Sequence, residues 1–421
     1  MYLTLRDRPG GKSAASSAAP RIATTVVLLG IVSLLTDISS EMVNAVLPLY
    51  LTAEVGLGVL AYGFVDGLYQ GVSALLRIGG GYVGDRSNRP KWVAAVGYGL
   101  SALSRVGMLV AHNLAAISAV VTADRLGKGL RTAPRDAMIA DSSDPRALGR
   151  SFGVHRTLDT IGAAIGPMVA FSMLLLVPGD YNSVWVVSAG FAFVGVAVIV
   201  LFVPNRKTKA VRAGQSFRHL LRQVTGPRLR RPLIAAGLLA LFTVGDGFLY
   251  LSLQQRDHMA AKYFPLLYVG SNISYLLLAI PFGRLADRIG RTRVFLGGHV
   301  ALLAVYLFAA GPFGGAWSTV LVLGLLGTYY AATDGVLPAL VTPLVDAHAR
   351  GSGIAAAQTV VVLARFASSL AFGSLWLLLG STHALFLVGG LLLATLALSV
   401  WLLRGSEATP AAEESESEVT A

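Results

Sequence analysis

The chain has 421 residues, of which 54% are hydrophobic and 13% are charged, and its mean hydropathy is +0.66. This composition excludes an ordinary soluble domain and predicts a polytopic membrane protein. The net charge of +12 would suggest a nucleic-acid partner in a soluble protein, but here the basic residues lie between apolar runs, as the positive-inside rule requires. Cysteine is absent, which excludes disulfides, thiolate metal sites and a cysteine nucleophile.

The first segment, residues 1–23, carries basic residues but no compact apolar run that ends in a cleavage site. A secretory signal peptide needs such a run. We therefore expect a cytoplasmic tail at this end of the chain.

Twelve apolar runs follow, each long enough to span the ~30 Å hydrocarbon core of a bilayer. They predict an all-α membrane protein with twelve transmembrane helices. The runs cover residues 24–51, 57–82, 92–111, 114–134, 152–177, 183–203, 233–254, 263–284, 293–312, 317–340, 352–378 and 383–403.

The loops between these runs alternate in charge. One set is rich in Lys and Arg, and the alternate set has neither, except for Arg256 and Lys262 after the seventh run. Because basic loops stay in the cytoplasm, we expect both termini on the cytoplasmic side of the inner membrane.

A basic segment, residues 204–232, separates the first six runs from the last six. It divides the chain into an N-terminal bundle, 24–203, and a C-terminal bundle, 233–403, joined by a cytoplasmic linker. The acidic, low-complexity tail 404–421 is expected to be disordered. An internal repeat supports the division, because a G-x-x-x-D-R-x-x-R loop occurs after both the second and the eighth run.

This doubled loop resembles the signature loop of the major facilitator superfamily. The resemblance covers essentially the whole chain, since helix number, loop placement and the two halves all agree with it. It implies two pseudo-symmetric six-helix bundles that transport by alternating access, with the loop residues acting in gating. These are Gly81, Asp85, Arg86 and Arg89 in the first half, and Gly283, Asp287, Arg288 and Arg291 in the second.

The gating loops predict contacts that close the cytoplasmic side in the outward-open state. Asp85 should face the start of the eleventh helix, near 351–353, and Asp287 the start of the fifth, near 150–153. Unpaired backbone N–H groups and the helix dipole attract an anion at such positions. The segments Asp37–Met42 and Asp124–Asp136 further resemble a poorly characterised bacterial and archaeal branch of the superfamily.

The fourth run contains a stripe of charged residues. Asp124, Lys128, Arg131 and Arg135 are spaced by four, three and four residues, which places them on one helical face. Asp124 and Arg125 lie roughly 15 Å inside the span at helical rise. A charge at that depth is costly unless it faces a watered interior, which favours a functional site. A structural ion-pair network is the alternative.

The fifth run contains Gly153, Gly162, Gly166 and Pro167 in the pattern G-x8-G-x3-G-P. It resembles the antiporter motif of proton-coupled drug exporters, although Ala170 and Phe171 replace two further glycines. Such glycines let a neighbouring helix approach closely and the proline permits a bend, so generic helix packing is the alternative.

The same exporters carry R-x-x-Q-G on the fourth helix. Arg125 to Gly129 matches this pattern, with Lys128 in place of Gln. The resemblance implies that Arg125 couples protonation to helix rearrangement.

Asp37 and Glu41 share a face of the first helix, one turn apart. Two carboxyl groups close together in a buried site cannot both ionise cheaply, so this pair is a candidate proton carrier. A structural pairing with Arg125 or Arg105 is the alternative. We expect further intramembrane polar residues to line a substrate cavity: Asp66, Gln70, Arg105, Asp124, Lys128, Arg131, Asp159, Asp246, Asp334 and Arg365.

The chain lacks the enzyme motifs H-E-x-x-H and the Walker loop. His and Met do not cluster, so neither a metal site nor any other cofactor is expected. The favoured function is a monomeric secondary transporter that exports a small molecule by proton antiport, of the kind associated with multidrug resistance. One alternative is a carrier of an anionic metabolite or other anionic solute, because cations are numerous. Another is a non-transporting membrane sensor, which the two intact gating loops oppose.

Overall fold

The computed structural model describes residues 22–86, 89–144, 148–205, 227–344 and 350–404. Side chains are described throughout these ranges except at 73–86, 227–228, 343 and 350–356. Every regular element in the described ranges is helical. The predicted tails and most of the predicted linker fall outside them.

The first half has six helices. Pro48 lies near the end of α1, which continues as a π-helical turn, Tyr50–Glu54. The helices are α1 (Thr24–Leu49), α2 (Val59–Arg86), α3 (Pro90–Met108), α4 (Leu114–Ser142), α5 (Leu148–Leu176) and α6 (Tyr181–Leu201).

The second half repeats this arrangement with two broken helices. Its helices are α7a (Pro227–Leu241), α7b (Asp246–Arg256), α8 (Phe264–Ile289), α9 (Arg291–Ala310), α10a (Ala316–Thr333) and α10b (Val336–Val341). The last helical element, Arg350–Leu402, reverses at Gly380, whose φ of 80° is a conformation that glycine adopts without strain. We name its two arms α11 (350–379) and α12 (381–402).

The predicted helix count is confirmed. Eight helical stretches among the described residues are long and apolar enough to cross a membrane. The last of these, Ala357–Leu402, makes two passes because it turns at Gly380. The more polar helices α2, α3 and α4 complete twelve passes. The protein is therefore an all-α, multi-pass membrane protein.

The two bundles meet along two symmetry-related helix pairs, α2 with α11 and α5 with α8. Small residues bring α2 and α11 close together. A Cβ added at Gly63 would lie 2.5 Å from the carbonyl oxygen of Ser369, and one added at Gly373 would lie 3.1 Å from that of Val59. Phe171 of α5 stacks on Tyr263 before α8, with ring centroids 6.2 Å apart. All these contacts lie toward the end of the bundle where α1 finishes, which we call the closed end.

The opposite end, where α1 begins and α8 finishes, is more open between the halves. No atom of the described residues lies within 4 Å of the position that a Cβ would take at Gly153 of α5 or Gly283 of α8. Asp334, at the end of α10a, is exposed. We call this the basic end, because the loops rich in Lys and Arg lie there.

The exception to the loop-charge pattern has a structural explanation. Arg256 donates two hydrogen bonds of 2.9 Å to the carboxylate of Asp257 and one of 2.6 Å to the carbonyl oxygen of Phe308. The hydrogen bonds from Arg256 hold the pKa of Asp257 down at about 2, so the pair carries no net charge at neutral pH. This loop therefore presents less positive charge than its sequence suggests.

Candidate functional site

The deepest charges of the first half form one closed cluster. Asp124 accepts a hydrogen bond of 2.8 Å from Arg105 of α3 and is also paired with its neighbour Arg125. Arg105 and Asp124 are each 4% exposed and Arg125 is 3% exposed. Three charges at this depth are stable only because each has an opposite partner.

The cluster joins four helices. Arg105 also donates to the hydroxyl groups of Ser39 and Ser40 on α1, at 3.2 and 3.0 Å. The Arg125 guanidinium lies over the ring of Tyr69 on α2, 3.7 Å from its centroid. This cation–π contact connects the cluster to α2, a helix of the bundle interface.

The rest of the α4 stripe divides between two environments. Arg131 is 3% exposed, lies over the ring of Tyr98 and donates to Ser101 on α3. Lys128 points to the other side, where its charge acts on Asp37 of α1. Thus Arg105, Asp124, Arg125 and Arg131 are enclosed within the first bundle, and none of them lines the central cavity described below.

Asp37 has a second carboxyl group as its neighbour. The carboxyl group of Asp159 on α5 lies close to that of Asp37. A carboxylate can only accept, so a carboxyl–carboxyl hydrogen bond requires one bound proton. Arg156, 80% exposed, lies 3.6 Å from Asp159 on the other side. The arrangement can therefore take up or release a proton.

Glu41 has a different environment. It accepts a hydrogen bond of 3.2 Å from Asn44 on its own helix. The sequence pattern paired Asp37 with Glu41 and placed Asp159 only in the cavity set. The glycine motif of α5 was the signal that could have pointed to Asp159, since it predicts close approach of a neighbouring helix to α5.

The motif glycines lie at the contact between α1 and α5. A Cβ added at Gly162 would lie 2.5 Å from the carbonyl oxygen of Leu34, and one at Gly166 would lie 2.7 Å from that of Ile38. Real Cβ atoms do not approach backbone atoms this closely. These two glycines therefore allow the approach that brings Asp159 to Asp37.

We expect Gly166→Ala to weaken both the fold and transport. The added methyl group must push α1 away from α5, and overpacking of this kind costs roughly 1–3 kcal/mol. Gly153→Ala, in the same motif, is the matched control because its Cβ meets no atom within 4 Å. Thermal unfolding and flux of the two purified variants measure the difference. Equal behaviour of the two variants would contradict a packing role for Gly166.

The central cavity lies between the bundles and has two lobes. The small lobe, of about 90 Å³, is lined by residues of both halves, including Asp66 and Asp246. The large lobe, of about 330 Å³, lies in the second half and includes Asp334 and His299. Gln70 and Arg365 line both lobes and so mark where they join.

Each charged residue of the small lobe is held by a hydroxyl group. Ser369 donates a hydrogen bond of 2.5 Å to Asp66, and Tyr330 donates one of 2.5 Å to Asp246. Arg365 donates to the hydroxyl oxygen of Tyr329 at 3.0 Å. The bond between Asp66 and Ser369 crosses from α2 to α11, and therefore from one bundle to the other.

Of the expected cavity set, Asp66, Gln70, Asp246, Asp334 and Arg365 line the cavity. Sequence reasoning missed the tyrosines and several neutral polar residues that complete its walls, because such side chains also occur on lipid-facing and packing surfaces. The missed residues are Asn44, Tyr62, Tyr69, Thr243, Tyr268, His299, Tyr329, Tyr330, Thr333, Gln358 and Ser369.

The gating loop is described mainly in the second half. Asp287 is 71% exposed, and its carboxylate lies 3.7 Å from the guanidinium of Arg291. Arg291 also donates to the carbonyl oxygen of Ala339, at 2.8 Å, and Arg288 is exposed. Arg89 is exposed. Gly81, Asp85, Arg86 and the residues near 351–353 belong to the segments whose side chains the structure does not describe. The predicted outward-open contacts of Asp85 and Asp287 stay predictions.

Comparison with known proteins agrees with this architecture. The family model of the Major Facilitator Superfamily matches residues 29–271 and 247–421. An uncharacterized MFS-type transporter of Methanocaldococcus jannaschii is 32% identical over 374 residues, which cover 87% of this chain and 92% of that protein.

Solved structures share the fold. The nucleoside transporter NupG superposes with a TM-score of 0.77 at 15% identity, over 90% of this chain and 99% of that one. A POT family transporter in complex with 5-aminolevulinic acid also gives 0.77, at 12% identity, over 92% of this chain and 97% of that one. Helix number, repeated halves and family match agree: the chain belongs to the Major Facilitator Superfamily, and it is a secondary transporter rather than an enzyme.

Proposed function

We propose that this transporter is a proton antiporter that exports a small molecule from the cytoplasm. The observation that carries the proposal is the pair of neighbouring carboxyl groups, Asp37 and Asp159, at the close contact between α1 and α5. The pair holds one proton while the two helices are close. When α1 and α5 move apart, each carboxyl group must find another partner, so the affinity for that proton changes with the conformation.

Lys128 completes the coupling site. Its ammonium group is the leading positive charge near Asp37. Lys128 lies on the same helix as Asp124 and Arg125. Movement of α4 therefore changes both the ion cluster and the charge beside the proton site, which is the coupling role proposed for Arg125.

The cavity is more open at the basic end of the molecule than at the closed end. The basic loops are expected to face the cytoplasm, so the open end of this conformation is the cytoplasmic one. Export by alternating access requires the substrate to bind in this state and to leave from the opposite one. The protein is proposed to act as a monomer in the cytoplasmic membrane, with both termini inside.

The alternative, a carrier of anionic solutes, rested on the number of intramembrane cations. Arg105, Arg125 and Arg131 are at most 4% exposed and are turned into the first bundle. Among the described cavity residues, Arg365 is outnumbered by three carboxyl groups, those of Asp66, Asp246 and Asp334. This charge balance favours a neutral or cationic substrate over an anion.

A flux assay in proteoliposomes tests the proposal. Vesicles with an acidic interior should accumulate members of a chemically diverse panel as protons leave, and vesicles without a gradient should only equilibrate them. Nigericin, which collapses the pH gradient, should remove the accumulation. Accumulation driven instead by an alkaline interior would establish symport and overturn the proposal.

A further inference from the structure

We propose that the substrate is an organic amine whose ammonium group binds between Asp66 and Asp246, with its apolar body in the large lobe. This inference rests on the proposed transport function and names the chemical class that the same cavity recognises. It is carried by charge balance, unfilled hydrogen-bonding capacity, aromatic walls and the shape of the cavity.

The charges of the cavity are unequal. Arg365 stands where the lobes join, and this one guanidinium is the cation near all three carboxyl groups, those of Asp66, Asp246 and Asp334. Asp66 and Asp246 remain in the small lobe, and no cation of the described residues lies within ion-pair distance of either carboxyl group. Buried carboxylates need a proton or a cation to be stable. An ammonium group supplies that cation.

Each of these carboxyl groups has one oxygen in use and one available. Ser369 occupies Oδ2 of Asp66 and Tyr330 occupies Oδ1 of Asp246. The described residues donate no hydrogen bond to the other oxygen of either group. A primary or secondary ammonium group has two or more N–H donors and can bond both free oxygens at once.

The walls of the small lobe suit a cation. They include the rings of Tyr62, Tyr268 and Tyr330, and the face of an aromatic ring attracts a positive charge. Tyr69 lines the same lobe, with Arg125 over its ring. The binding site is therefore linked directly to the α4 cluster.

The two lobes differ in size and in polarity. A space of about 90 Å³ holds a few non-hydrogen atoms, since a water occupies ~30 Å³ of liquid. About half of the wall of the large lobe, which has a volume of about 330 Å³, is apolar, and this part includes Phe295, Leu337, Val361 and Val362. This volume lies within the ~300–1,000 Å³ of sites for drug-sized ligands. A compact amine head on an apolar body matches both lobes.

The site also explains exchange with protons. Asp66 belongs to the first bundle, on α2, and Asp246 to the second, at the first turn of α7b. An ammonium group held by both ties the bundles together, and its departure leaves two half-buried carboxyl groups that can each take up a proton. Amine and protons therefore compete for the same oxygens.

Binding of three matched probes to the purified protein in detergent tests the inference. The probes are 4-phenylbutylamine, 4-phenylbutan-1-ol and 4-phenylbutyrate, which share a body and differ in the charge of the head group. Isothermal titration calorimetry of the wild-type protein should give the amine a Kd about tenfold lower than that of the alcohol, because the alcohol cannot form charge-assisted hydrogen bonds. The carboxylate should bind most weakly, because its charge has the same sign as those of Asp66 and Asp246.

Asp66→Asn and Asp246→Asn should each raise the Kd of the amine about tenfold and change the Kd of the alcohol by no more than about twofold. Asp180→Asn is the matched control, because Asp180 caps α6 away from the cavity and Asn is an equally good cap. The inference is overturned if the amine does not bind, if the carboxylate binds as tightly, or if both cavity variants keep wild-type affinity. The comparison of the three probes on the wild-type protein tests the inference even if a variant fails to fold.

The outcome is separable from that of the flux assay. Detergent solution has no gradient, so a carrier that is not driven by protons would still show the amine preference. A proton antiporter of anions would accumulate substrate in vesicles but fail the probe comparison.

Discussion

Neutralising either member of the carboxyl pair, as Asp37→Asn or Asp159→Asn, is expected to abolish active efflux and to reduce substrate-induced proton release. An amide can bridge to the remaining carboxyl group by hydrogen bonding, so the contact between α1 and α5 is retained without an exchangeable proton. Passive counterflow should persist, because it needs conformational exchange but no net movement of protons. Proton release is measured with a pH indicator in weakly buffered detergent solution.

Glu41→Gln is the comparison variant, since Glu41 lies one turn from Asp37 and is bonded to Asn44. If Asp37 and Asp159 share the proton, Glu41→Gln should retain more release than either Asn variant. Loss of release in Glu41→Gln with normal release in Asp159→Asn would assign the pair to Asp37 and Glu41. Unchanged proton release in an Asp37→Asn, Asp159→Asn double variant would show that the coupling site lies elsewhere. The acids of the small lobe, Asp66 and Asp246, would then be the next candidates.

Asp124→Asn is expected to give the largest loss of stability. The substitution leaves Arg105 and Arg125 buried without their shared counter-charge. Breaking a buried pair by removing one partner typically costs about 3–5 kcal/mol. The free energy of unfolding in mixed micelles, or the temperature of half-unfolding, measures the effect. Asp124→Glu, which keeps the charge, should recover part of the loss.

Asp136→Asn is the matched control on the same helix. Asp136 is paired with Arg135 at 3.0 Å, but its side chain is 44% exposed. Exposed ion pairs contribute ~0–1 kcal/mol, so this variant should unfold close to wild type. If the two variants lose the same stability, the cluster around Asp124 is not a structural centre.

The Arg125→Ala variant distinguishes a structural role of Arg125 from a role in coupling. If it only balances Asp124, Arg125→Ala should unfold at lower temperature. If its contact with Tyr69 also transmits movement, the folded fraction should lose coupled transport and still bind a cavity ligand. A folded variant with normal flux would show that Arg125 takes no part in coupling.

Several features followed from the sequence because they depend on local composition and spacing. Apolar runs of spanning length gave twelve helices, since hydropathy alone decides whether a segment is stable in lipid. The spacing of Gly162 and Gly166 predicted close helix contact, and α1 does approach α5 there. The acids of the small lobe could be named because a charged residue within a span must face protein or water.

What only the tertiary structure decided is the partner of each buried charge. Helical periodicity places Asp37 and Glu41 on one face, but it does not reveal that Asp159, far away in the chain, approaches Asp37. Helical periodicity also places Asp124, Lys128 and Arg131 on one face of α4. In the fold, α3 and α1 pack on two sides of this helix, and Asp124 and Arg131 contact α3 whereas Lys128 lies near α1. Partner choice depends on which helices adjoin, and that follows from the packing of the whole bundle. The sequence by itself thus determined where charge is buried, and the fold decided which charges are neutralised internally and which are left to meet a substrate or a proton.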